Sequence, residues 1–372
     1  MISYTAMTIT DFRRFALIHL KLEKIKALKR KEIEEEFRTK VRENWDGIAK
    51  PIDGMGQFEV LTAQIGAILG TDEIDLTRKA VVVLCADNGI VEEGISQSGW
   101  EVTAAAAKSI AEGRSAVGKM AEAIGARVLT VDMGMKKKEP IEGVLDRKIR
   151  CGTRNFRRQP AMTEQETLRS IMVGIQIAKE CKREGCSILA TGEMGIGNTT
   201  TSSAVCSVLL DQSVEKVTGK GAGLTNKDLE HKIEVIKQSI ALNQVDANDP
   251  LDVLSKVGGL DIAGMVGCYI GGAALQVPVF IDGFISSVAA LIAIRLVPEC
   301  APYLFPSHCS NEPAGHLILD AIGKEPYILA NMCLGEGTGA VMGFTIADYA
   351  FKAYWELPSF EQTNFGTYEE LN

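Results

Sequence analysis

The residues best suited to chemistry lie in two glycine-flanked acidic loops. The first, Thr191-Gly192-Glu193-Met194-Gly195-Ile196-Gly197-Asn198-Thr199-Thr200, follows a short apolar run and leads into a helical pattern that starts near Thr199. Amides and hydroxyls at a helix start hold phosphate or carboxylate, assisted by the helix dipole. Gly195, Gly197, Asn198 and Thr199 are therefore candidate phosphate-binding positions. The loop is not a Walker loop, because no Gly-Lys-Ser/Thr ends it. Glu193 would repel a phosphate packed against it, so it is better suited to act as a base or a sugar-hydroxyl acceptor.

The second loop, Leu334-Gly335-Glu336-Gly337-Thr338-Gly339, sets one carboxylate between glycines ahead of an apolar helical stretch. Thr338 would cap that helix better than Glu336. A carboxyl in a dry, glycine-walled cleft has its charged form disfavoured, which raises its pKa towards a general-base range. Two weaker signals accompany the loops. Pro306-Ser307-His308-Cys309-Ser310-Asn311-Glu312-Pro313 is a turn cluster whose Ser310 hydroxyl is suited to a phosphate oxygen, and Lys232 offers one positive charge, though most helical lysines are simply solvated.

Such loops need a scaffold. Short apolar runs recur at Val81 to Cys85, Val128 to Val131, Ile188 to Ala190, Val277 to Ile281 and Tyr327 to Ala330, separated by helical patterns such as Val102 to Ala123 and Leu229 to Leu242. Continuous apolar runs of this kind predict strands buried on both faces of a parallel sheet, hence an α/β, doubly wound architecture. In such a sheet the site lies beyond the carboxyl ends of the strands, which is where both acidic loops fall, together with Asp87-Asn88-Gly89, Asp132-Met133-Gly134 and Asp282-Gly283. From Thr10 to about Asn44 the pattern is helical and heavily charged, and Lys136 to Arg158 is a basic excursion that reads as a solvated, substrate-facing or subunit-facing loop.

Composition narrows the class. The chain has 372 residues, 46% hydrophobic and 24% charged, enough for one large domain with an appendage. A net charge of −8 argues against nucleic acid or an anionic membrane as partner. Nine cysteines without Cys-x-x-Cys spacing predict reduced thiols in the cytoplasm, and the N-terminus carries no signal-like or membrane-spanning stretch. The four histidines, His19, His231, His308 and His316, lack metal-ligand spacing, so no metal is expected.

Taken together, the two acidic loops resemble the nicotinate-nucleotide:dimethylbenzimidazole phosphoribosyltransferase family. So do Lys50-Pro51 through Gly56-Gln57-Phe58-Glu59, Asp87 through Gly94, Glu101-Val102-Thr103, Cys151-Gly152-Thr153-Arg154-Asn155 and Ser310-Asn311-Glu312-Pro313-Ala314-Gly315, all in the family's order from about Ile48 to about Tyr349. The resemblance implies a Rossmann-like, mostly parallel large domain over 51–335. It implies a small helical domain built from 1–50 and 336–372, and a homodimer, with a heterodimer as the other possibility. It also implies transfer of ribose 5-phosphate from nicotinate mononucleotide to 5,6-dimethylbenzimidazole or a related lower-ligand base, with no cofactor.

On this resemblance Glu336 is the general base and Glu193 the accessory carboxylate. Ser310, Lys232 and Gly195 match phosphate positions, Asp282 and Gly283 lie at the ribose side, and Trp100, Met194 and Leu334 border the incoming base. The sequence departs from the family at two positions. Trp100 stands where members commonly carry Gln, offering a stacking face in place of an amide, and Asn88 stands where many have His. Two other readings compete. A nicotinamide-dependent oxidoreductase would need Gly-x-Gly-x-x-Gly after the first strand, where Ala86-Asp87-Asn88-Gly89-Ile90-Val91 stands instead. A specialised subunit of a heterodimer activating phenolic bases is the second, with Trp100 as its motive.

Overall fold

The computed structural model describes residues 22–28 and 33–363. The helical pattern read from Thr10 therefore lies outside the described residues up to position 21 and again at 29–32. Within them Ile25 is buried and Glu35–Gly47 forms a helix that buries Val41 and Trp45.

One sheet of six strands runs β1 (Lys79–Ala86), β2 (Arg127–Gly134), β3 (Val144–Asp146), β4 (Ile188–Met194), β5 (Val279–Ile281) and β6 (Leu304–Pro306), in the spatial order β3-β2-β1-β4-β5-β6. Every adjacent pair is parallel, so the sheet is wholly rather than mostly parallel. All of β1 is buried, as its unbroken apolar run requires. The chain winds outward through β2 and β3, then crosses back to β4. This reversal opens a crevice at the carboxyl ends of β1 and β4.

Adjacent residues of β4 show that both faces are covered. The Thr191 hydroxyl is hydrogen-bonded to the Tyr269 hydroxyl at 2.6 Å, on the helix Leu260–Ala274. Gly192 must point the other way, and there a Cβ would stand 2.6 Å from the Gly337 nitrogen, at the entry to the helix Thr338–Glu356. That helix packs on β1, β4 and β5 and on the helix Gln57–Leu69. The two chain ends also meet: the Trp45 and Tyr354 rings lie 5.4 Å apart, Asn44 Nδ2 donates to the Tyr354 hydroxyl at 2.7 Å, and Ala49 N–H donates to Pro358 O at 2.9 Å.

Three expectations need correction. Tyr327 to Ala330 is not a strand; only Ile328 bridges, to His308. The edge strand is β6 instead, paired with β5 through Pro306 opposite Ile281. Val102 to Ala123 is two helices, Glu101–Ala111 and Ala116–Ala123, separated where Gly113 turns left-handed and the Ser115 side chain caps the second by accepting from Gly118 N–H. The basic excursion is not simply solvated. It contains β3, and Lys148 pairs with Asp132 at 3.0 Å, Arg147 with Glu180 at 3.3 Å, and Arg150 and Arg154 with Glu166 at 3.3 and 2.7 Å. Burial alone would raise Glu166, but Arg154, the Thr163 amide and Arg150 outweigh it and hold the carboxyl at about 2. Among the described residues no helix is long and apolar enough to cross a membrane.

Candidate active site

Glu336 owes its position to backbone conformation. Gly335, Glu336 and Gly337 take φ of 85°, 62° and 93°, three left-handed residues in succession. The two glycines adopt this region freely; a glutamate there is strained by about 1–3 kcal/mol and needs surroundings that fix it. Asp282, at the end of β5, supplies them: its carboxylate accepts the N–H groups of Gly337 at 3.1 Å, Gly339 at 2.7 Å and Ala340 at 3.1 Å. The cap of the helix Thr338–Glu356 is thus neither Glu336 nor Thr338, whose hydroxyl donates to Gly335 O at 2.9 Å, but an aspartate from another loop. Gly192 completes the seat, since any Cβ there would collide with the Glu336 carbonyl.

Glu193 is the last residue but one of β4 and is buried. The Asn198 amide donates to it, and a side chain at Gly335 would collide with its Oε1, so Glu193 and the Glu336 loop share one cleft. Burial, then Asp261 and Asp282, push Glu193 up to about 8 against the Asn198 donation, with Glu336 adding to the rise. Asp261, fully buried, is pushed up by burial to about 6. Burial and Asp282 likewise raise Glu336, although Val117 N–H approaches its Oε2 at 3.5 Å. Burial raises Asp282 as well, although His308 and the three amides oppose it.

The other end of the cleft is cationic. Lys232, from the helix Asn226–Asn243, is buried, and its Nζ donates to Thr199 Oγ1 and to Gly219 O, each at 3.0 Å. Burial pushes the ammonium down to about 8, with Glu312 opposing. A side chain at Gly219 would collide with Glu312, whose N–H donates to Ser310 Oγ at 3.3 Å. Ser310 also lies against Gly283, where a Cβ would stand 3.7 Å from the Ser310 Cβ and 3.3 Å from His308 Nε2. A continuous chain of contacts therefore runs from Lys232 and Thr199 through Glu312, Ser310 and Gly283 to Asp282, and on to Glu336 and Glu193.

Most candidate residues come together along this line, with differences of detail. The Asn198 side chain is committed to Glu193 and to Asp261, so it faces the acids and not an anion, which leaves Thr199 as the side chain of the helix start that meets the lysine. Asp282 acts on the site through the three amides it holds. Gly195 and Gly197 pack on the turn after β1, beside Ala86 and Asn88. Met194 closes β4, and Leu334, 61% exposed, stands at the mouth beside Gly335. Trp100 is 44% exposed and lines a separate cavity of about 790 Å³ with Ala104, Lys108, Lys136 and Ile141; neither Glu193 nor Glu336 borders it.

Sequence reasoning missed Asp261, which stands in Gly258-Gly259-Leu260-Asp261 and looks there like an ordinary acidic residue at a helix start. It also missed Thr103, whose hydroxyl accepts the Ile196 N–H at 3.2 Å and ties the helix after Trp100 to the Gly195–Gly197 loop.

The family model described as phosphoribosyltransferase matches residues 31–365, beyond both ends of the segment in which the motifs were read. The chain is 44% identical over 338 residues to the nicotinate-nucleotide–dimethylbenzimidazole phosphoribosyltransferase of Acetivibrio thermocellus, spanning 91% of this chain and 96% of the relative. It is 43% identical over 341 residues to the enzyme of the same name from Ruminiclostridium cellulolyticum, spanning 92% and 97%. The crystal structure of CobT from Thermus thermophilus superposes with a TM-score of 0.84 at 33% identity, covering 89% of this chain and 99% of that one.

Proposed function

The chain belongs to the nicotinate-nucleotide–dimethylbenzimidazole phosphoribosyltransferase family, and from that membership we propose that it moves ribose 5-phosphate from nicotinate mononucleotide to 5,6-dimethylbenzimidazole, a step of cobamide biosynthesis. The products are the α-riboside 5-phosphate and nicotinate. The observation that carries the reading is the shared cleft of Glu193 and Glu336, with Lys232 and Ser310 at its far end. Neither a nicotinamide-dependent oxidoreductase nor a subunit specialised for phenolic bases finds support among the named relatives.

The chemistry suits this arrangement. The bond from the anomeric carbon to the pyridinium nitrogen breaks, its electron pair returns to that nitrogen, and nicotinate leaves without needing a proton. One benzimidazole nitrogen attacks the opposite face, inverting β to α, while the N–H proton of the ring passes to Glu336. Burial has already raised that carboxyl towards the range of a useful base. Positive charge grows at the anomeric carbon and is stabilised by the Glu193 carboxylate, while Lys232 and Ser310 hold the phosphate so that the sugar is aligned for attack. Gly195, Gly197 and Thr199 frame the phosphate side, and Asp282 and Gly283 the ribose side. Met194 and Leu334 wall the base; Trp100, in the separate cavity, is joined to this side of the site through the helix whose Thr103 accepts the Ile196 N–H.

The assignment extends to architecture. A small helical domain is assigned to 1–50 and 336–372 on the 51–335 body; its described parts, 22–28, 33–50 and 336–363, support this through the Trp45–Tyr354 and Ala49–Pro358 contacts, and the rest lies outside the described residues. The protein is a homodimer; Val60, Tyr349 and Trp355, exposed on two helices that pack together, supply apolar surface for the contact. It resides in the cytoplasm, where its nine cysteines stay reduced.

The test is to incubate the purified chain with nicotinate mononucleotide and dimethylbenzimidazole and to follow nicotinate and the α-riboside phosphate by chromatography. Equal amounts of both, formed only when both substrates are present, are expected. Nicotinate release without riboside phosphate, or no reaction, would refute the assignment.

A further inference from the structure

Asn198 has one side-chain amide nitrogen, and two buried acids share it: Glu193 Oε2 and, at 3.1 Å, Asp261 Oδ2. The amide's orientation follows from Asp261, because the amide oxygen would repel that carboxylate if it faced it. Asp261 stands in the first turn of the helix Leu260–Ala274, and its Oδ1 has no hydrogen-bond partner among the described residues. A carboxylate so deep and only partly donated is costly to keep.

From this shared donor we infer that Asp261 is a positioning residue of the transfer reaction, acting through Asn198 to fix the Glu193 carboxyl at the anomeric site and to govern whether that carboxyl holds a proton. The inference rests on the role given to Glu193 above.

Several groups face Glu193. Asp261 comes from the helix Leu260–Ala274, Asp282 from the end of β5, Glu336 from the loop before Thr338–Glu356, and Asn198 from the helix that follows β4. On β1 stands Cys85, whose thiol is raised by burial and by Asp132, Glu193, Asp261 and Asp87. Asp87 in turn faces Asp261, and His308 faces Asp282 at 3.8 Å. The charged side chains that weigh most on Glu193, which are Asp261, Asp282 and Glu336, are acids.

Glu193 is raised to about 8 and Asp261 to about 6, so between those values Asp261 carries the negative charge and Glu193 stays neutral. A pyridinium-bearing donor brings the missing positive charge. Glu193 then loses its proton to solvent, and the resulting carboxylate meets the cationic sugar carbon.

Two substitutions test this with opposite signs. Asp261→Asn keeps the shape and an acceptor for the Asn198 amide but removes the charge. The Glu193 carboxyl band, identified in infrared difference titrations by its loss in Glu193→Gln, then moves to lower pH by on the order of one unit, and the acidic limb of kcat/KM for nicotinate mononucleotide follows it. Asn198→Ala removes the donor and moves both to higher pH. A purely structural Asp261 would lower activity at every pH and leave the limb where it was. Unmoved titrations in Asp261→Asn, or shifts of the same sign in both variants, overturn the inference. If Asp261→Asn does not fold, Asn198→Ala decides alone: an alkaline shift supports the coupling and no shift overturns it. The infrared titration needs no turnover, so a chain inactive in transfer whose Glu193 still shifts in opposite directions would count against the reaction and not against the coupling.

Discussion

At one end of the cleft Glu193, Asp261, Asp282 and Glu336 crowd together, with backbone N–H groups and the Asn198 amide as their donors. At the other, Lys232 is buried with a hydroxyl and a carbonyl as its direct partners. Burial pushes the acids up and the lysine down, so each end is drawn towards neutrality in the free protein. Glu312 offsets the Lys232 charge only in part, since burial still holds the ammonium down to about 8. A donor nucleotide with an anionic phosphate and a cationic pyridinium supplies both complements at once. On the proposed assignment one end anchors and the other reacts, and both suit a ligand charged in opposite senses at its two ends.

That division can be broken by substitution. The largest effect is expected from Glu336→Gln, which should lower kcat about a hundredfold or more while the circular dichroism spectrum and the KM for nicotinate mononucleotide stay close to those of the parent. Near-normal turnover would remove Glu336 from the role of base. Lys232→Met should act in the reverse manner, raising that KM about tenfold or more with a smaller change in kcat, as loss of a charge-assisted hydrogen bond predicts. A large fall in kcat at unchanged KM would break the comparison.

A pH series sharpens the comparison. Lys232 is protonated below about 8 and neutral above it, so the KM for the phosphate-bearing donor should climb as pH passes that value. Its folded value lies below the usual 10.5, so the folded chain resists protonation where the unfolded chain accepts it, and this group favours folding increasingly from about 8 upward.

Gly192→Ala should cost about 1–3 kcal/mol of stability and reduce kcat more than it changes KM, because the new methyl would press on the Glu336 carbonyl. Thermal unfolding and steady-state kinetics on one preparation would check both. The smallest effect belongs to Glu166→Gln, outside either end: kcat unchanged and stability lower by about 2 kcal/mol near neutral pH. The Glu166 carboxyl lies below its ordinary 4.5, so its contribution is present above that value and is lost as pH falls towards about 2. The parent should therefore lose its advantage over Glu166→Gln in acid unfolding across that window.

How far the sequence could be read depended on the kind of force at work. The strands β1, β2, β4 and β5 were legible because burial on both faces demands unbroken apolar runs, and the two acidic loops because each sets a glutamate among glycines. The edge strands β3 and β6 were not, since three residues beside lysines or prolines carry no periodic signal. Nor were the partnerships. Asp282 reads as a turn residue until the chain folds and brings the Gly337, Gly339 and Ala340 amides to it, and Asp261 reads as a helix start until Asn198 meets it. Local pattern names the residues that do the work, while the residues that hold them belong to distant parts of the chain.

The seat of Glu336 has a consequence for anyone wishing to transplant this catalyst. The hexapeptide from Leu334 to Gly339 would not travel alone, because its shape is imposed by a carboxylate 54 positions upstream of Glu336 and by a bare α-carbon on the central strand β4. A graft would have to carry Asp282 and Gly192 in register with the loop, and a scaffold offering only a matching peptide would receive a glutamate free to swing.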